Sequence, residues 1–248
     1  MVIVLLAAVA VAQSGAASAQ DAPARADQIV VTGERVKRSL KDTPSSVAVF
    51  DPGVLRQLAA PDRIQQLLEL VPNVLTVTSR DAPFIRGQTS PGVLQGLPGF
   101  LGGARPRTVM QIDGRTVTFN EFVNSSEGLW DVDHVEVFRS PQTTTQGVNS
   151  IAGAIFIHTA DPTYRFEGRA RAIVGQYRRR QASALISGPL VDDQLALRIS
   201  GDLYRSIAST KQSGPVVGIA DLNPDRHWTV RAKLLAEPHA LSGLKLLT

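Results

Sequence analysis

The sequence has no cysteine, which excludes disulfides and thiolate-held metals together. Stability must then come from a packed core or from a membrane. Long apolar runs are also missing. The run at the N-terminus, Val2 to Ala12, is about 11 residues, roughly half of the ~20 that a membrane-spanning helix needs. No HExxH, G-x-S-x-G or P-loop string occurs, and His134, His158, His227 and His239 are not spaced for one. Each histidine is expected on a strand face, with no catalytic site, cofactor or metal. Asp131, Asp133 and His134 read as a polar turn before a strand rather than as a metal cluster. The net charge of +4 is carried mostly by scattered Arg, which gives no nucleic-acid footprint.

What is present begins with an export pattern. The apolar run leads into small residues ending in Ala17-Ser18-Ala19, as in a secretory signal over 1–19. Residues 20–43 are rich in Ala and charge and are expected to form a mobile tail. Within that tail stands a short β-forming string, Asp27-Gln28-Ile29-Val30-Val31-Thr32-Gly33. Such a string can add itself as a strand to another protein's sheet edge, or it can be the domain's own first strand.

Residues 44–162 read as one mixed domain. Ser46 to Phe50 is a strand candidate, and Ile64, Leu67, Leu68 and Val71 have helical spacing up to Pro72. Val74 to Val77 follows as a strand. Thr108 to Thr118 is a hairpin around Asp113-Gly114. His134 to Phe138 alternates, with Val135 and Val137 on one face and His134, Glu136 and Phe138 on the other. Ile151 to Thr159 is a further strand. Between them lies the Gly- and Pro-rich stretch Gly87 to Arg107, long enough to suggest a functional loop.

The pattern changes after Pro162. Leu195, Leu197, Ile199 and Leu203 alternate with Arg198, Ser200, Asp202 and Tyr204. Trp228, Val230, Ala232 and Leu234 alternate with Thr229, Arg231 and Lys233, and Arg169 and Arg171 with Ala170, Ala172 and Val174. Gly188 to Gln194 reads as a turn. A soluble sandwich also alternates. With Arg on the polar face and an export signal, a transmembrane wall with apolar residues to lipid and polar residues to the lumen is the better reading.

Five strings in order carry a family resemblance: "DQIVVTG", "DRIQQLLELVPNV", "FIRGQ", "VMQIDGRTV" and "HVEVFRSPQTTTQGVNSIAGAIFIHT". The chain resembles the N-terminal part of a TonB-dependent outer-membrane receptor. The implied fold is an α+β plug domain followed by the first antiparallel strands of a truncated transmembrane β-barrel. Three departures stand out: Ser140 where the family has Gly, Gln146 where it has Tyr, and Ala152-Gly153-Ala154 for a Gly-Gly pair.

The resemblance implies that Asp27 to Gly33 is a TonB box, paired by TonB and its inner-membrane energising complex. It implies that Arg86 and Arg139 face acidic residues of the barrel wall. It also puts Gln88, Gln95, Phe100 and Arg105 on a ligand-facing loop, a small metal chelate such as a ferric siderophore being the expected cargo. The implied location is the outer membrane, in contact with its lipid. A 22-stranded wall needs ~220 residues, whereas about five strands of chain follow Ala160. The expectation is therefore a fragment of a transporter, the alternative being a plug-only, TonB-binding periplasmic protein or a gene remnant.

Overall fold

The computed structural model describes residues 3–5, 30–31, 38–39, 43–58, 63–76, 83–89, 106–118, 121, 128–142, 150–207, 225–239 and 244–248. The chain divides into two compact units, 18–160 and the remainder. The elements, in chain order, are β1 (Ile3–Leu5), β2 (Val30–Val31), β3 (Arg38–Ser39), β4 (Val47–Phe50), α1 (Pro52–Gln57) and α2 (Ile64–Leu68). There follow β5 (Val74–Leu75), β6 (Phe84–Ile85), β7 (Gln88–Thr89), β8 (Thr108–Ile112), β9 (Arg115–Val117), β10 (Val132–Phe138) and β11 (Gly153–Thr159). The last five are β12 (Glu167–Val174), β13 (Arg180–Val191), β14 (Leu195–Ser206), β15 (Asp225–Ala236) and β16 (Leu246–Leu247).

The first unit is built on a five-stranded sheet of order β4-β10-β11-β8-β9. β8 and β11 run parallel, and the other pairs are antiparallel. Both faces of this sheet are covered. On one, Val135, Val137, Ile155 and Ile157 join Ile64, Leu67 and Leu68 of α2 and Ile85 of β6 in the main core. On the other, Phe138, Ala154 and Phe156 form a smaller cluster with Val109 and Val31. The period of two along β10 and β11 separates the two sets, as strand geometry requires.

Local chemistry explains the short elements. The Asp51 carboxylate accepts from the backbone N–H of Gly53 at 2.7 Å and of Val54 at 3.0 Å, and Pro52 opens α1. α2 is shorter than its apolar spacing predicts. Glu69 still donates four residues back to Gln65, but Leu70 and Val71 donate three back, tightening the helix end before Pro72. Asn73, at φ 63°, then turns the chain into β5.

The β8–β9 hairpin closes on Asp113 at φ 48° and Gly114 at φ 83°, a pair of left-handed residues that suits the strand twist. Asp113 also ties this hairpin to β11. Its carboxylate accepts from the Thr159 backbone N–H at 2.8 Å and from the Thr159 hydroxyl at 2.6 Å.

The second unit is a fully antiparallel sheet of order β1-β12-β13-β14-β15-β16. β13, β14 and β15 are each 12 residues long, enough to cross a bilayer at a barrel's tilt. The expected turn over Gly188–Gln194 is corrected: β13 continues through Gly188 and Pro189 to Val191, and the turn is confined to 192–194. The register shifts between Pro189 and Val191, and that irregularity accommodates a proline, which has no N–H to give the ladder. At the other edge, β1 pairs with Ala172–Val174 of β12. β1 falls in the apolar run expected to be the export signal.

Candidate functional site

The β-forming string is described only at Val30 and Val31; Asp27, Gln28, Ile29, Thr32 and Gly33 lie outside the described residues. Val30 and Val31 pair with Ser39 and Arg38 in a two-stranded ribbon. Val31 is 1% exposed and sits among Val109, Phe138, Ala154 and Phe156. One residue of the string is thus docked in the first unit.

Arg86 and Arg139 are far apart in sequence but meet the same turn. Arg86, at φ 50°, and Gly87, at φ 76°, form the two-residue turn between β6 and β7. The Arg86 backbone N–H donates to the Asn73 carbonyl at 2.8 Å, and its side chain is exposed. Arg139, just after β10, donates through Nη1 to the Pro72 carbonyl at 3.2 Å. Its Nε is buried without a hydrogen-bond partner. No acidic partner for either guanidinium is found among the described residues. The sequence marked both arginines, but not their convergence on Pro72-Asn73.

Of the expected ligand-facing residues, only Gln88 is described; Gln95, Phe100 and Arg105 lie outside the described residues. Gln88 is exposed, and its Oε1 accepts from Arg107 Nη1 at 3.0 Å. That bond ties the two ends of the Gly- and Pro-rich stretch.

In the second unit the apolar face is outside and the polar face is covered. Leu203, Trp228 and Val230 are 61%, 71% and 63% exposed, whereas Asp202 and Arg198 are 3% and 5% exposed. Ala172, Ala182, Leu203 and Trp228 form one row across four strands. The neighbouring row holds Arg171, Ser183, Asp202 and Thr229. Asp202 accepts from Gln181 Nε2 at 3.0 Å and from the Ser183 hydroxyl, while Arg198 Nη1 lies 3.3 Å from Glu167 Oε2. Tyr204 stacks on His227 at 4.7 Å between ring centroids. A soluble sheet buries the opposite set. Exposed apolar rows over covered polar rows are what a lipid-facing wall requires.

A third constellation escaped the sequence reading. His134 and His158 are Cα partners across β10 and β11, and their rings stack with centroids 4.3 Å apart. Glu136, two residues along β10 and fully buried, brings Oε1 to 3.5 Å from His134 Nε2. On the other side, Asp133 Oδ2 lies 2.7 Å from His134 Nδ1. Burial alone lowers the His134 pKa, but the two carboxylates outweigh it and hold it at about 9. The missing signal was the register: only the β10–β11 pairing joins His158 to His134.

Residues 39–154 match the family model of the TonB-dependent Receptor Plug Domain. The match covers a little under half of the chain, and the strands that follow it are antiparallel, in keeping with a barrel wall. The chain is 26% identical over 204 residues to the iron-regulated outer membrane virulence protein of Vibrio cholerae serotype O1. That match covers 76% of this chain and 29% of the relative, so the chain spans under a third of the relative's length.

Among solved structures, the pyoverdine outer membrane receptor FpvA of Pseudomonas aeruginosa PAO1 superposes with TM-score 0.68 at 16% identity, over 88% of this chain and 29% of that one. The ferric yersiniabactin uptake receptor FyuA of Yersinia pestis gives TM-score 0.63 at 23% identity, over 78% and 29%. These two likenesses establish the fold. The location that goes with the plug family is the outer membrane.

Proposed function

We propose that this chain is the N-terminal part of a TonB-dependent outer-membrane transporter for ferric siderophores or related metal chelates. The observation that carries the reading is a plug domain joined to strands whose apolar face is exposed and whose polar face is covered. The relatives' names, an iron-regulated protein and receptors for pyoverdine and yersiniabactin, support an iron-chelate cargo. Residues 1–19 serve export, 20–43 carry the TonB box, 44–162 form the plug, and 163–248 supply the first strands of the wall. On this reading the open sheet is completed by further strands, because an unpaired edge is not tolerated in lipid.

In this account TonB takes Asp27 to Gly33 as an added strand and draws on the inner-membrane proton gradient. The docked position of Val31 supports a two-step event. Pulling a buried Val into water costs on the order of 1.5–3 kcal/mol, so the segment leaves its cluster only when the new pairing offsets that cost. Arg86 and Arg139 then act as the plug's fixed charges toward acidic residues of the wall. Support comes from their shared turn and from the buried, unbonded Nε of Arg139. Gln88, with Gln95, Phe100 and Arg105, belongs to the surface that meets the chelate.

Calorimetry of the full chain in detergent against a TonB C-terminal domain tests this function. Binding is expected, at least tenfold weaker for Val30→Pro, which removes a backbone donor. No binding, or equal affinity of the two chains, contradicts strand addition.

A further inference from the structure

We propose that Arg180, Arg205 and Arg226 bind the phosphate headgroup of an anionic membrane lipid at one end of the second unit's apolar face. The three stand side by side on neighbouring strands. Arg180 of β13 is the Cα partner of Arg205 of β14, and Arg205 is the partner of Arg226 of β15. All three are exposed. Strands lie about 4.7–4.9 Å apart, so the row is roughly 10 Å long.

Such a row is unfavourable alone, because like charges directly opposite one another destabilise a sheet. Among the described residues, no hydrogen bond or ion pair holds any of the three side chains. An anion laid across the row would offset the repulsion. Phosphate suits it, since the planar guanidinium fork gives two parallel N–H donors to a pair of phosphate oxygens.

The surface beside the row makes the anion a lipid. Ala182, Leu203 and Trp228 are two residues along the same strands and so share the arginines' face, about 7 Å away. A groove of about 470 Å³ is lined by both rows. A second, of about 510 Å³, shares Ala182 and Leu203 and leads away from the arginines to Gly201 and Val230. An acyl chain joined to a phosphate at the row fits along these grooves, whereas free phosphate would use the arginines alone. Trp228 is placed like the aromatic girdle that borders a barrel's apolar band. The proposal rests on the lipid-facing reading of this wall and adds which lipid it selects.

The test uses the full chain in a Trp130→Phe background, so that Trp228 alone reports. It is placed in dodecylmaltoside micelles doped with phosphatidylglycerol or phosphatidylcholine carrying brominated acyl chains, which quench on contact. Arg205→Gln and a chain combining Arg180→Gln, Arg205→Gln and Arg226→Gln are compared with it. Arg165→Gln, which removes an exposed arginine just before β12 at the sheet's opposite end, is the control. Circular dichroism checks the strands, and where the triple variant loses them Arg205→Gln decides.

Phosphatidylglycerol is expected to quench Trp228 at a mole fraction at least about tenfold lower than phosphatidylcholine, each arginine near an anionic surface contributing about fivefold. Arg205→Gln should lower that preference about fivefold, the triple variant should lose it, and the control should keep it. Excess inorganic phosphate should compete no better than sodium chloride of equal ionic strength. Equal quenching by the two lipids, or an undiminished preference in the arginine variants, overturns the proposal while the lipid-facing wall stands. Displacement by phosphate beyond the salt effect overturns the lipid as ligand. No quenching by either lipid overturns the wall and the proposal together.

Discussion

Gly153 shows how tightly single positions are constrained. A Cβ built there would stand 2.2 Å from the Phe138 carbonyl oxygen and 3.1 Å from Ile85 Cδ1. The neighbours on each side, Ala152 and Ala154, are buried and tolerate a methyl group. The departure from a Gly-Gly pair therefore retains a glycine at a position where β11 backbone crowds the end of β10. Gly153→Ala is expected to cost about 3 kcal/mol, the upper end for overpacking a well-filled core. Denaturant unfolding of the full chain in detergent, in a Trp228→Phe background so that Trp130 alone reports, measures it, and a loss under about 1 kcal/mol contradicts the steric account. The histidine cluster sits at the same scale. Its members were visible one by one in the sequence, but their proximity is a property of strand register.

At the scale of elements, alternation made most of the strands legible, because a period of two is visible wherever one face differs from the other. β10 and β14 were read with nearly their observed bounds. α1 was not foreseen: Asp51-Pro52-Gly53 resembles a turn, and its role as N-cap, first residue and first-turn glycine appears only with the capping bonds. β13 was misread at its end for the same reason, since Gly188-Pro189 is punctuation in isolation but here lies within a paired strand.

The wall pattern makes its own prediction. Asp202 on β14 is nearly fully buried and holds Gln181 and Ser183, while its neighbour Leu203 is 61% exposed. Asp202→Ala should therefore destabilise the sheet by about 2 kcal/mol through the stranded polar partners. Leu203→Ala should change detergent-solubilised stability by less than about 0.5 kcal/mol, as expected for an exposed site. Thermal unfolding of both variants, in a Trp130→Phe background so that Trp228 alone reports, checks the order of the two effects; a reversed order assigns the faces wrongly.

Across the whole molecule, two units with opposite surface logic share one chain. The first covers its apolar residues on both sheet faces, while the second leaves rows of them bare. An exposed apolar patch of that kind drives association unless lipid or detergent covers it. Ending the chain after Pro162 should therefore yield a soluble monomer, whereas the full chain should associate or be proteolysed in plain buffer. Gel filtration without detergent distinguishes these outcomes, and a monodisperse full chain contradicts the account.

The two tryptophans provide the most direct measurement of the central claim, that the second unit turns its apolar face to lipid. Trp130 lies in the first unit at 8% exposure and Trp228 in the second at 71%. Single-tryptophan variants, Trp228→Phe and Trp130→Phe, are placed in micelles of a brominated detergent, which quenches only on contact. The account predicts strong quenching of Trp228 and little of Trp130. Equal quenching of both, or a Trp228 that stays bright, would contradict a lipid-facing wall.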